Sequence, residues 1–174
     1  GGMSGDDAIA MGVTGPSLRG SGVKYDLRKE EPYSGYEQYD FDIPIADEGD
    51  VYARYIVRMH EMRESLKIVE QALDKLPEGP VRSDNRKFVP PPRAELGTSM
   101  EAVIHHFKLW TEGFPAPKAS VYVPVESPRG ELGVYLEGDG GPKPYRCYWR
   151  TPSFVTLQAA PLLSETHYVA DLVA

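Results

Sequence analysis

Between Tyr52 and Leu76 the apolar residues return at alternating steps of three and four: Tyr52, Tyr55, Met59, Met62, Leu66, Val69, Leu73 and Leu76. That period places them on one stripe of a single helix, predicted from about Asp50 to Leu76 and roughly 40 Å long at 1.5 Å per residue. Pro77 and Gly79 stop it. The opposite face carries Arg54, Arg58, Glu61, Glu64, Lys67 and Glu70 and reads as solvated. So long a stripe predicts helix-on-helix packing. A second helix opens at Thr98, where Thr98-x-x-Glu101 fits a capping box. Met100, Val103, Ile104, Phe107 and Trp110 form its apolar face, and Gly113 ends it.

From Ser120 the period changes to two. Val121–Val125, Leu132–Leu136 and Tyr145–Arg150 read as three strands, with a turn at Gly138-Asp139-Gly140-Gly141 between the last two. Pro124 assigns the first strand to an edge. Tyr39–Ile45 also alternates, aromatic and aliphatic against Asp40 and Asp42, and predicts a short strand. Asp6–Met11 predicts a short helix ending near Gly12, and the tail from Tyr168 predicts the first turns of another. Residues 77–97 form a Pro-rich connection, stiffened by Pro90, Pro91 and Pro92. The expected fold is α+β: long packed helices plus a small antiparallel sheet, in one domain over 1–174, with a helical region 47–113 and a β region 120–157.

Composition narrows the function. The 174 residues suffice for a core. The net charge of -7 argues against a nucleic-acid partner, because phosphate binding needs a basic face. The single cysteine, Cys147, supplies neither a disulfide nor a thiolate cluster, and its position predicts a half-buried thiol on a strand. No apolar run approaches a membrane span, so contact with a membrane is expected only through partners. The opening residues lack the basic start and apolar stretch of a signal peptide. Both ends read as cut, and a fragment lacking both ends is expected.

The candidate chemistry is sparse. His105 and His106 diverge by about 100° on a helix, so they are poorly placed for one metal and read as core or interface residues. No metal ligand set is predicted. Gly15–Gly22 lacks the Gly-Lys-Ser/Thr ending of a phosphate loop and reads as a tight turn that sets Arg19 against a buried carboxylate. Glu126-x-x-Arg129 follows a strand directly. It reads either as a structural ion pair or as a pair facing a cavity, where the arginine would polarise a ligand.

Several motifs in order carry a family likeness. They are Thr14-Gly15-Pro16-x-Leu18-Arg19-x-Ser21-Gly22, Tyr25-Asp26-Leu27-Arg28-Lys29, Pro32-Tyr33, Phe41-Asp42-Ile43-Pro44 and Glu61-Met62-Arg63-Glu64-Ser65. Then come Pro90-Pro91-Pro92-Arg93, Thr98-Ser99-Met100-Glu101, His105-His106-Phe107-Lys108, Glu126-Ser127-Pro128-Arg129-Gly130-Glu131-Leu132-Gly133, Pro144-Tyr145-Arg146 and Pro152-Ser153-Phe154. Together they resemble the D-type, or 49-kDa-type, subunit of the proton-pumping NADH:quinone oxidoreductase known as respiratory complex I. That family is related to the nickel–iron hydrogenase large subunit.

The resemblance implies a hydrogenase-like fold and a place in the quinone-reducing module. Electrons pass from NADH through flavin (FMN) and iron–sulfur clusters held by partner subunits to ubiquinone or menaquinone. The 49-kDa-type polypeptide binds no such cofactor itself. The resemblance implies two neighbours: the protein that holds the terminal iron–sulfur cluster, and a C-type subunit of the same complex. The complex lies on the cytoplasmic face of the bacterial inner membrane or the mitochondrial matrix side. The likeness puts the family's headgroup-binding histidine and tyrosine before Gly1 and its C-terminal tail after Ala174, which predicts an isolated fragment without activity. Ser127-Pro128-Arg129-Gly130 is similar to a hydrogenase turn whose arginine overhangs the metal site. Arg129 is therefore expected at the quinone cavity or its charge pathway, held by Glu126. Arg19 is expected at the interface with the cluster-bearing neighbour, and Arg146, His105, His106 and Asp171 are further cavity or interface candidates. The alternatives are the large subunit of an energy-converting nickel–iron hydrogenase and a non-catalytic scaffold.

Overall fold

Helix α4 (Val51–Asp74) is the longest element of the chain, and Asp50 caps it by accepting the Ala53 N–H at 2.7 Å. The structure, a computed structural model, describes residues 1–172, with side chains through Ala170. Helix α4 packs through the face expected to be solvated. Ala53 and Val57 are buried, and Arg54, Glu61, Glu64, Ile68 and Gln71 on the same side are half-buried. The apolar stripe points outward: Leu66 and Leu73 are 64% and 67% exposed, and Tyr52 and Met62 are exposed as well.

Shape and hydrogen bonding explain this inversion. Small Ala53 and Val57 let helix α2 (Pro16–Arg19) and Gly20 approach closely. A Cβ on Gly20 would meet Arg54 Cγ at 2.9 Å. Farther along, Gln71 and Glu64 of α4 and its C-cap Lys75 serve backbone groups. Gln71 accepts the Asp40 N–H at 2.9 Å and donates to the Asp40 carbonyl at 2.7 Å. Glu64 accepts the Asp42 N–H at 2.9 Å, and Lys75 donates to the Gln38 carbonyl at 2.7 Å. The segment expected as a strand, Tyr39–Ile45, is therefore extended but not in a sheet. Its alternation buries Phe41, while helix side chains take the place of a partner strand.

The predicted first helix forms as α1 (Gly5–Ala10), capped by Ser4, whose hydroxyl accepts the Asp7 N–H at 3.2 Å. Met3, Ala8, Val13, Leu18 and Ala159 make a buried core, with Met11, Val23, Tyr25 and Leu163 packed against it. Helix α3 (Leu27–Glu30) follows, capped by Asp26, and a 3₁₀ turn spans Tyr36–Gln38.

Strands β1 (Ala119–Ser127), β2 (Gly130–Gly138) and β3 (Arg146–Arg150) form one sheet in the order β1-β2-β3. Strand β1 lies on an edge, as Pro124 requires. Only Pro128 and Arg129 separate β1 from β2. The β region ends at Arg150 rather than 157, because Pro152 starts helix α6 (Pro152–Thr156) at a position where its missing N–H costs nothing. A 3₁₀ turn (Leu157–Ala159), helix α7 (Ala160–Ser164) and a 3₁₀ turn (Val169–Leu172) complete the described chain.

The chain divides into two compact units, and the division cuts across the expected helical and β regions. The first gathers Gly1–Leu76, Val123–Val134 and Trp149–Ala174; the second gathers Pro77–Tyr122 and Tyr135–Tyr148. The second unit holds a 3₁₀ turn (Arg93–Gly97) and helix α5 (Met100–Thr111), which Gly113 ends with φ +80°. The cap of α5 is Ser99, not Thr98: the Ser99 hydroxyl accepts the Ala102 N–H at 3.2 Å, while Thr98 turns back to the Glu95 carbonyl. Phe88 and Phe114 meet edge-to-face at 4.8 Å. Cys147 lies on β3 but is exposed rather than half-buried.

Candidate functional site

Two glycines build the site by letting two loops cross. Gly15 (φ +72°) opens α2, and Gly130 (φ +128°) starts β2. A Cβ on Gly15 would strike the backbone of Arg129 and Gly130, and one on Gly130 would meet Thr14 Oγ1 at 2.6 Å. The Glu131 N–H donates to Thr14 Oγ1 at 3.0 Å across the crossing. This contact sets the last residue of α2, Arg19, beside the end of β1, where Glu126 sits.

Arg19 is 1% exposed. Its Nε donates to Glu61 Oε1 at 2.6 Å, and both terminal nitrogens donate to Glu126 Oε1 at 3.0 Å. One of them also donates to the Tyr25 carbonyl at 2.8 Å and lies 3.7 Å from Asp26 Oδ2. Asp26 in turn takes a two-pronged bond from Arg28, Nε to Oδ1 at 3.0 Å and a terminal nitrogen to Oδ2 at 2.6 Å. Glu126 is fixed from its own backbone too, its N–H donating to the Tyr33 hydroxyl at 2.9 Å. Its second carboxylate oxygen accepts the Leu27 N–H at 3.4 Å. The Arg28 guanidinium lies over the Phe41 ring at 4.9 Å.

Three carboxylates (Asp26, Glu61, Glu126) face two guanidiniums (Arg19, Arg28), so the fully ionised cluster carries one excess negative charge. The excess is felt at Glu126. Burial pushes its carboxyl above the usual value; Arg19 opposes this and Asp26 adds to it. Burial also pushes Asp26 upward, but the hydrogen bonds and charge of Arg28 hold it below its usual value.

The cluster forms one wall of a cavity of about 860 Å³. Arg19, Arg28, Glu61 and Glu126 lie on its polar side; Met62, Leu66 and Val69 of α4 and Pro128 make it largely apolar elsewhere. The outward stripe of α4 therefore supplies part of a cavity wall. Among the described residues, no group of three or more His, Cys, Asp or Glu is arranged to hold a metal ion.

The expected site residues are only partly brought together. Arg19 meets a buried carboxylate, as the tight turn predicts, and within this chain it is enclosed rather than presented at a surface. The expected Glu126–Arg129 pair does not form. Arg19 takes the Glu126 carboxylate, while the two-residue turn leaves the Arg129 side chain exposed at a different cavity. His105 and His106 are half-buried on α5, with the His106 ring 6.2 Å from Trp110, and Arg146 is exposed at the start of β3, all within the second unit. The Asp171 side chain lies outside the described residues. The fold adds Asp26, Arg28, Glu61 and Tyr33, which the sequence does not mark as site residues although each stands within one of its motifs. Asp26 followed by a short helical run is a capping signal; nothing local announces the partners of Glu61 or Tyr33.

The α+β fold and a buried charge cluster beside an apolar cavity define a class of cavity-forming protein whose polar wall is built from its own ion pairs. The chain belongs, over residues 1–174, to the family described as respiratory-chain NADH dehydrogenase, 49 Kd subunit. It is 55% identical over 177 residues to a D-type subunit of NADH-quinone oxidoreductase from Roseiflexus sp. strain RS-1, covering 100% of this chain and 42% of that protein. It is 59% identical over 167 residues to NADH-quinone oxidoreductase subunit 4 of Thermus thermophilus, covering 96% and 41%. With the D-type subunit of NADH-quinone oxidoreductase from Acidiphilium cryptum the identity is 52% over 172 residues, covering 99% and 42%. The chain thus spans about two fifths of the length of these relatives. The family likeness read from the motifs holds, and the hydrogenase alternative gives way to it.

Proposed function

We propose that this chain forms part of the quinone-reducing module of a proton-translocating NADH:quinone oxidoreductase, with the Arg19–Glu126 cluster serving as a proton-transfer element beside the quinone. The observation that carries this is the opening of a buried, net-negative cluster onto a largely apolar cavity. Quinone reduction consumes protons as well as electrons, and the substrate's ring and tail need apolar walls. Glu126, whose affinity for a proton burial raises, is the group that takes up and passes on the proton; Arg19 keeps that carboxyl in place and compensates its charge when the proton leaves.

In this proposal the electrons come from NADH through flavin and iron–sulfur clusters held by neighbours, chiefly the one with the terminal cluster, while a C-type subunit adjoins. No described helix is long and apolar enough to cross a membrane. In the proposed assembly the chain lies at the membrane surface through its partners, on the cytoplasmic or matrix side. The outward apolar faces of α4 and α5 favour extensive packing against further polypeptide, as membership of an assembly requires.

The test is Glu126→Gln in the full-length protein, with assembly checked on a native gel. NADH:quinone reduction and proton uptake are expected to fall roughly 10–100-fold while electron transfer to an artificial acceptor upstream of the quinone persists. Full quinone reduction and pumping in an assembled Glu126→Gln complex would overturn the proposal.

A further inference from the structure

The first unit contains a second cavity, of about 570 Å³, that the proposed reaction does not use. Arg54 and Arg58, one turn apart on α4, line it together with Arg129 from the β1–β2 turn. The side chains of Ser17, Ser153 and Thr156 add hydroxyls. No Asp or Glu stands among its lining residues, in a chain where Asp and Glu outnumber Lys and Arg by 26 to 19. Arg58, which also borders the larger cavity, and Arg129 make no side-chain hydrogen bond or ion pair with the described residues. Arg54 is anchored without being neutralised at its tip: it donates to the Gly49 and Gly1 carbonyls at 2.9 and 3.0 Å. Burial first, and the Arg58 charge second, press Arg54 toward losing its proton, and the Asp50 carboxylate opposes them.

We propose that this cavity binds a phosphate group, gripped by Arg58 and Arg129 and backed by Arg54. A lone carboxylate offers one charge and two oxygens to the forks of Arg58 and Arg129, the added charge of Arg54 and several hydroxyls. A phosphate offers up to two charges and three or four oxygens, so it satisfies more of these donors at once. The volume suits a small molecule or a lipid headgroup. Leu157 and Leu163 in the same lining provide apolar contact for the organic body of a phosphate ester. The exposed side chains of Arg58 and Arg129 give the anion access from solvent.

The experiment uses the full-length protein in its purified assembly, delipidated and then dialysed against radiolabelled inorganic phosphate. The wild type is expected to retain label, and Arg58→Gln/Arg129→Gln to weaken retention at least about tenfold, with Arg58→Lys/Arg129→Lys in between. Displacement of the label by phosphatidic acid vesicles but not by glycerol phosphate identifies a lipid headgroup as the source of the phosphate. Displacement by glycerol phosphate but not by vesicles identifies a soluble ester. Equal retention by the wild type and both variants overturns the proposal. A density map of the wild-type assembly decides the matter if the variants fail to assemble. A tetrahedral group between Arg58 and Arg129 supports the proposal, and a carboxylate side chain from a neighbouring polypeptide in that position overturns it.

Discussion

Arg19 and Glu126 stand 107 positions apart in the chain, yet both terminal nitrogens of Arg19 reach a single Glu126 oxygen at 3.0 Å. With Arg19 at 1% exposure, three carboxylates lie around one enclosed cation. Removing that cation strands buried negative charge. Arg19→Met is expected to cost about 3–5 kcal/mol. Arg19→Lys is expected to recover only part, because an ammonium cannot reproduce the fork that serves Glu61 and Glu126 together. Urea denaturation of the full-length protein checks both, and a loss below about 1 kcal/mol for Arg19→Met would count against a structural role for the cluster.

Glu126 and Asp26 respond to pH in opposite senses. Glu126, raised above its ordinary 4.5 by burial, binds its proton more tightly when folded. Its contribution to stability is fully present below that ordinary value and is lost as pH rises through the folded value. Asp26, held by Arg28 below its ordinary 3.8 despite burial, contributes stability above 3.8 that is lost as pH falls through its folded value. The wild-type advantage over Glu126→Gln is therefore expected to be largest in acid and to shrink as pH rises. The cost of Asp26→Asn is expected to be largest above 3.8 and to shrink in acid. Unfolding free energies across a pH series test both slopes, and parallel curves for wild type and variants refute the assignment.

The Gly15–Gly130 crossing tolerates no side chain. Each residue has positive φ, and each added Cβ meets the opposing backbone. Gly15→Ala and Gly130→Ala are each expected to cost at least about 1–3 kcal/mol from conformation alone, with the clash added. Gly2→Ala, where a Cβ meets nothing within 4 Å, is the control and is expected to stay within about 0.5 kcal/mol of wild type. Melting curves of the three variants separate the cases.

Tyr33 anchors Glu126 from the backbone side by accepting its N–H at 2.9 Å. Tyr33→Phe leaves that N–H without its acceptor and is expected to destabilise by about 1–3 kcal/mol. Hydrogen exchange at the Glu126 amide should quicken, and unchanged protection would mean that the bond carries little weight.

Helix α5 offers a test of local capping. Ser99→Ala is expected to cost about 1 kcal/mol, whereas Thr98→Ala costs a few tenths at most, because only Ser99 accepts an N–H of the first turn. A larger loss for Thr98→Ala in a thermal melt would restore the capping-box assignment.

The sequence by itself determined the elements whose causes are local. The three-and-four period, Asp50 and Pro77 bound α4, and Gly113 ends α5. The period-two runs after Ser120 become the three strands, and Pro124 puts β1 on an edge. Even the carboxylate facing Arg19 was foreseeable from the Gly-rich turn, though not its identity. Tertiary structure decided which face of α4 is buried: small Ala53 and Val57 pack against α2, and Glu64 and Gln71 on the same side bond the Asp42 and Asp40 backbone. It also turned Tyr39–Ile45 away from a sheet by supplying helix side chains as hydrogen-bond partners. Above all it chose Arg19 over Arg129 as the partner of Glu126. A three-residue spacing suggests a pair, but the tight Pro128-Arg129 turn sends the guanidinium to another cavity. The two-glycine crossing brings α2 to the end of β1 instead. Local sequence fixes period and caps because those forces act within a few residues. Ion-pair partners are set by where distant backbones can approach, and only the folded chain specifies that.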